Sequence, residues 1–339
     1  AAPMGNYGDI ENKGWEISMN THPLIGAFEW DSDFQISFNR NKLRALEGTA
    51  NAQIVGYGQW SDVVSVTNVG ESLYNFYGYV CDGVYEDLED LQTSAKPAKY
   101  PADGVFNRTN TVWVGDIKYK DLNGDGVIDE NDRTNIGSPL PKFTFGWTNT
   151  FRYKNFDLSL FINGSYGNKV FNYLGMKLTH MNSPWSNQLN TVLDRAQIVP
   201  IDPNKDYSAG VVVNGVTIYN WYDDITNVRV ANAGATIPRA SIQDPNDNDR
   251  ISDRYIEDGS YIRLKNITLG YTFPGKIIKK WGLDNLRVYA NIQNLLTITG
   301  YSGYDSEIGA STASANVYGL DNGRYPSPTV YSFGLNVSF

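Results

Sequence analysis

Between Tyr331 and Phe339 the large side chains Tyr331, Phe333, Leu335, Val337 and Phe339 all fall on one parity. Ser332, Gly334, Asn336 and Ser338 fill the other. Successive side chains of a strand point to opposite faces, so this segment offers one face to hydrocarbon and one to water. The pattern recurs. Trp15, Ile17 and Met19 alternate with Glu16, Ser18 and Asn20, and Phe34, Ile36 and Phe38 with Gln35, Ser37 and Asn39. Phe156, Leu158, Leu160 and Ile162 alternate mostly with polar residues, as do Leu286, Val288, Ala290 and Ile292. Recurrence of this kind predicts an all-β fold whose strands divide two solvents, as in an antiparallel transmembrane β-barrel.

Strands are expected near residues 13–20, 29–39, 54–60, 72–80, 111–119, 142–153, 155–164, 260–273, 284–294 and 329–339. Two irregularities stand out. The apolar parity changes between Leu264 and Ile267, which marks a bulge or the point where a strand leaves the bilayer, and Asn149 interrupts the row Phe143, Phe145, Trp147, Phe151, Tyr153. The link Lys154-Asn155 is short, whereas about 166–258 forms one long excursion. Short turns on one rim and long loops on the other are the outer-membrane habit. Within the excursion, Leu189, Val192, Leu193 and Ala196 have helical spacing and predict a short helix over 189–198.

Composition narrows the choice. The 339 residues show no break in composition, which favours one large all-β unit, and 23 Tyr, 14 Phe and 8 Trp suit strands joined by turns. No apolar run approaches the roughly 20 residues of a membrane helix, so a helical membrane protein is excluded and a barrel is not. A net charge of -9 argues against nucleic acid as a partner. Cys81 is the single cysteine; it offers neither a disulfide nor a zinc site and reads as a packed thiol. The chain begins Ala1-Ala2-Pro3 without Met or an apolar signal segment, as expected of a mature product or part of a longer polypeptide. Its strands would cover only part of a large wall, and another segment must close the edge.

The richest chemistry lies in Asp121–Asp132. Asp121, Asn123, Asp125, Asp129 and Asp132 occupy positions 1, 3, 5, 9 and 12 of a calcium-type loop, with Gly126 at the tight turn and Val127 offering a carbonyl. Ca²⁺ takes six to eight oxygens, which carboxylates at alternate turn positions supply. The spacing predicts a structural Ca²⁺ site on a loop, set against an Asx-rich turn whose carboxylates cap their own amides. His22 and His180 sit in no ligand or catalytic motif, and no nucleophile elbow or phosphate loop is present, so no enzyme is expected.

Several segments together resemble the C-terminal part of the SusC/RagA-like family of TonB-dependent outer-membrane transporters. They include Asn12–Glu16, Tyr77–Tyr85, Gly115–Tyr119, Ile136–Lys142 and Ile237–Ala240, and above all Tyr255–Ile267, Gln293–Thr297 and Gly303–Glu307. The resemblance implies the C-terminal part of a 22-stranded barrel with long extracellular loops, in the outer membrane of a Gram-negative bacterium. It further implies a plug, contact with the TonB complex through an N-terminal part not in this chain, and a SusD-like lipoprotein over the barrel. The solute would be an oligosaccharide or a peptide. Tyr331, Phe333, Leu335, Val337 and Phe339 match the terminal strand read by the barrel-assembly machinery.

On this reading Arg152, Arg263, Lys265 and Arg287 face the lumen, where they either meet solute or pair with carboxylates of the plug or neighbouring strands; pairing is favoured for most. Trp185, Trp221 and Tyr222 are candidates to stack on sugars. The alternatives are a secreted all-β carbohydrate-binding protein with a calcium loop, whose alternation would reflect a soluble core, and a passive porin.

Overall fold

The computed structural model describes residues 7–47, 52–59, 61–309 and 316–339. Seven long strands cross one antiparallel sheet in chain order: β1 (Gly8–Leu24), β2 (Phe28–Leu46), β3 (Phe143–Tyr153), β4 (Phe156–Tyr166), β5 (Tyr261–Thr272), β6 (Asn285–Thr299) and β7 (Val330–Ser338). Among the described residues, β1 and β7 each keep one edge without a strand partner. Such a meander is the connectivity of a barrel wall.

The register carries the alternation from strand to strand. Met19 lies opposite Phe34, Phe34 opposite Trp147, and Trp147 opposite Ile162. The row continues through Leu264 and Leu296, and Val288 meets Leu335. One face is thus a continuous apolar surface, and it is bare: Trp15 is 77% exposed, Phe333 84% and Phe339 88%. A soluble sandwich would bury this row, since each such side chain left in water forgoes about 1.5–3 kcal/mol.

Asn149 lies in the apolar face yet is only 5% exposed. Its side-chain oxygen accepts the Trp30 indole N–H at 2.9 Å, and Ser32, directly opposite it, accepts the Trp147 indole N–H at 2.9 Å. Two tryptophans turned towards hydrocarbon therefore find acceptors within the wall, where acyl chains offer none. The interruption at Asn149 is how the row accommodates its indoles.

The parity change in β5 is a bulge at Lys265. Both neighbours skip this residue: Ile162 faces Leu264 and Phe161 faces Asn266, while Leu296 faces Leu264 and Gln293 faces Asn266. One extra residue restores the alternation, so Leu264 and Ile267 share the apolar face.

At one rim the strands join by short turns, 25–27 and 154–155, and by 273–284 with its helical turn Gly275–Ile278. At the other rim, the described residues of 47–142, 167–260 and 300–329 pack into a common unit. One core combines Val84, Trp113, Ile117 and Ile128 of the first connection with Ile225 and Val228 of the second. Another joins Phe76, Phe171, Tyr255 and Leu320 from all three. The strands expected near 54–60, 72–80 and 111–119 belong here and not to the wall: they shorten to Gln53–Tyr57, Phe76–Gly78 and Ile117–Tyr119, and residue 60 lies outside the described residues, as do Ala1–Pro3. The helix expected over 189–198 is a 3-10 turn, Asn190–Asp194, followed by an extended segment, Ile198–Pro200. The Ala196 N–H donates to the Ile237 carbonyl and pulls the chain straight.

Candidate functional site

The polar face of the wall is lined with ion pairs. Arg152 on β3 donates to Asp31 on β2 at 2.5 Å, and Asp31 also contacts His22 Nδ1 at 2.6 Å. Arg287 on β6 reaches across β5 to Asp157 on β4, with Nε at 3.0 Å and Nη2 at 2.5 Å from the carboxylate. Gly270 lies beneath this bridge, where a Cβ would stand 2.3 Å from Arg287 Nη2 and 2.5 Å from Asp157 Oδ1. A similar vacancy at Gly334 takes the ring of Tyr289, its cross-strand partner.

Arg263 on β5 is buried beneath the connection that returns from β6. It donates to Thr297 Oγ1 at 2.8 Å, to Glu307 at 2.7 Å and to Asp305, and Lys265 meets the same Glu307 oxygen at 2.8 Å. Burial alone would raise the Asp305 carboxyl. The Glu307 and Ser327 amides and the Arg263 guanidinium outweigh it and bring the group down to about 2. Arg152 and Arg287 are therefore occupied by carboxylates of other wall strands, as the sequence led one to expect, whereas Arg263 and Lys265 are occupied by acids of the β6–β7 connection. Asp305 and Glu307 lie in the Gly303–Glu307 segment that carries the resemblance, but at 42 and 44 residues from Arg263 no spacing in the sequence ties them to it or to Lys265.

The three candidate stacking aromatics differ. Trp185 is 93% exposed. Trp221 packs against the loop-unit core, and Tyr222 carries the Arg108 guanidinium 5.2 Å from its ring centre.

In the acidic loop, Asp121 accepts the N–H groups of Gly124 at 2.6 Å and Gly126 at 2.8 Å; the Gly126 amide, then Gly124, hold its carboxyl below the usual range. Asn123 accepts from Asp125, Asp125 from Val127, and Asp129 from Asn131. Gly126 has φ +83°, which only glycine adopts without strain. Ile128 plugs the loop into the core, and residues 96–97 pair with 127–128. Asp132 is fully buried and ties the ends together, accepting the Leu122 and Asp129 amides at 2.8 Å each. Every carboxylate oxygen here retains a lone pair for a cation. These are oxygen donors of the kind a hard cation takes, with Asn123 and Asp125 exposed and Asp121 half-buried.

A second polar cluster was not legible, because its members are scattered. His180 ends the helix Tyr173–Thr179, with Nε2 2.8 Å from Asp244 and Nδ1 3.0 Å from Asp249. Among the described residues this is the one set of three His, Cys, Asp or Glu ligand atoms lying within 4.8 Å of one another. Both ring nitrogens donate, so the ring is an imidazolium with no lone pair for a metal. Burial works against that charge, but Asp244 and Asp249 prevail and raise His180 to about 9. Through Asn248, Asp244 connects to the buried pair Asp116–Arg239, which binds the two longest connections together. Cys81 is a packed thiol, pushed up to about 12 by burial.

A bare apolar face, an ion-paired polar face and a packed loop unit on one rim define part of an outer-membrane β-barrel wall. Comparison with known proteins places it further. No family model matches the chain. It is 32% identical over its full length to TonB-dependent receptor P3 of Formosa agariphila, covering 30% of that protein, and 26% identical over 98% of its length to TonB-dependent receptor SusC of Bacteroides thetaiotaomicron, covering 27%. The chain thus spans about 30% of the length of such relatives. A solved structure of the RagAB peptide transporter superposes with a TM-score of 0.67 at 17% identity, over 98% of this chain and 29% of the other. The fold is that of TonB-dependent transporter barrels. Over its whole length the chain is similar to TonB-dependent receptors, SusC among them, as a C-terminal barrel portion; these relatives are receptors and transporters, not enzymes.

Proposed function

We propose that the intact protein is an active importer in the outer membrane of a Gram-negative bacterium, taking up oligosaccharides or peptides with energy delivered through TonB. The observation that carries this reading is the wall itself, with hydrocarbon-facing Trp15, Phe333 and Leu335 behind a lumen row of paired charges. Relatives named for TonB dependence, and a structural neighbour described as a peptide transporter, support it. The long connections are then extracellular, the plug and remaining strands come from the rest of the polypeptide, and a SusD-like lipoprotein covers the loop unit. In cells carrying the full-length protein, growth on its solute stops when TonB or the lipoprotein is deleted. Growth that survives loss of TonB identifies a passive porin instead.

Two further roles belong to this reading. Ca²⁺ binds at Asp121, Asn123, Asp125, the Val127 carbonyl, Asp129 and Asp132, and stiffens an extracellular loop. Added calcium then slows proteolysis within 121–132 relative to chelator; equal cleavage removes the site. Tyr331, Phe333, Leu335, Val337 and Phe339 form the terminal signal for barrel assembly, and deleting Phe339 lowers the amount of assembled receptor in outer-membrane fractions.

A further inference from the structure

Part of the connection from β6 to β7 folds back onto the wall. Its descending limb lies on the polar face of β5, where Asp305 takes Arg263, and its ascending limb is held by the Ser327 N–H, 3.1 Å from the same carboxylate. Between this returning segment and the wall is a cleft of 480 Å³. Thr144, Ser165, Tyr261 and Lys265 line it from the strands, and Ser306 and Arg324 from the connection.

Three observations give the cleft a chemical preference. Lys265 is the bulged residue of β5, and a bulge re-aims the side chain it carries. Its ammonium spends one donor on Glu307 and has two more. Ser306 is 2% exposed, and its hydroxyl has no hydrogen-bond partner among the described residues. Arg324 is exposed, and among the described residues its guanidinium makes a single long contact, 3.4 Å to the Glu307 carbonyl. Of the charged residues that line the cleft, Lys265 and Arg324 stand against Glu307 alone, a surplus of one positive charge in a chain of net charge -9. A guanidinium fork with free donors suits a carboxylate.

We propose that this cleft is a subsite for a carboxylate-bearing part of the solute, with Arg324 as its principal charge and Lys265 and Ser306 as further donors. This deepens the importer reading and rests on it. Carboxylates reach such a protein from peptide C-termini or from uronic sugars, and the chemistry that recognises them is shared.

The test is calorimetric titration of the full-length receptor in detergent with two matched pairs: tetraalanine against its C-terminal amide, and tetragalacturonate against its methyl ester. The acid of one pair is expected to bind about fivefold or more tightly than its neutral mate. Arg324→Gln abolishes that preference, Arg324→Lys keeps it, and Arg229→Gln, at an exposed position of the loop unit, leaves it unchanged. The pair that responds identifies the source of the carboxylate. Equal binding of acid and neutral forms in both pairs, no binding of either acid, or an Arg324→Gln variant that retains the preference overturns the proposal. TonB dependence is read separately in cells, so loss of the importer reading and loss of the charge preference are distinguishable.

Discussion

An imidazole held between two carboxylates acts as a pH-dependent fastener, and the direction of its dependence follows from where its proton is bound more tightly. His180 titrates near 9 in the folded protein, above its ordinary value of 6.5. The folded state therefore keeps a proton that the unfolded chain releases, and the stabilisation is complete below about pH 6.5 and lost as pH rises through about 9. The side chain is only 11% exposed, and a shift of this size corresponds to about 3 kcal/mol. Lys177, 3.5 Å from Asp249, is a second cationic partner of the same carboxylate. Hydrogen exchange in the segment 241–250 of the full-length receptor is expected to accelerate between pH 7 and 9 after correction for intrinsic rates, and His180→Gln is expected to abolish that acceleration. An unchanged pH profile in the variant would remove His180 from the role.

At the scale of the strand, the side-chain period of two makes register unforgiving, and a bulge is the permitted exception. Deleting Lys265 leaves Leu264 followed directly by Asn266, so Leu264 and Ile267 keep the apolar face and the ladder with β4 becomes regular, while on the other side Asn294 and Leu295 of β6 stay outside the ladder. Deleting Thr268 instead turns one half of β5 inside out. The first variant is expected to assemble, giving the heat-modifiable gel mobility of a folded barrel, and the second is not; equal yields of both would contradict the bulge. Sequence alternation made all seven wall strands visible, because each has a strict two-solvent environment that its side chains must obey. The shift at Leu264 and the break at Asn149 were equally visible, and each has a local cause. The loop unit was poorly legible for the opposite reason. Its short strands, such as Phe76–Gly78, are set by contacts such as Phe76 with Phe171 and Asp116 with Arg239, between residues roughly a hundred positions apart. The calcium-type spacing could be read directly, whereas Arg324 and Ser306 acquire meaning only once the β6–β7 connection is seen to fold back.

At the scale of the molecule, the two free edges are the governing feature. β1 has 17 residues and β7 has 9, so pairing them with each other would leave about half of β1 without ladder partners. Unpaired amides are not tolerated in hydrocarbon, where each costs several kcal/mol. The sheet is stable only when each edge meets a strand of suitable length from elsewhere. The bare row of Trp15, Phe333 and Leu335 requires lipid or detergent at the same time. Residues 1–339 refolded alone in micelles are therefore expected to yield no compact, heat-modifiable species. Refolding together with the remaining N-terminal portion of the receptor is expected to restore one, because the complement supplies both missing edge partners. A compact, heat-modifiable and protease-resistant species from residues 1–339 alone would show that β1 and β7 close upon each other, and the wall would then be a small barrel in its own right.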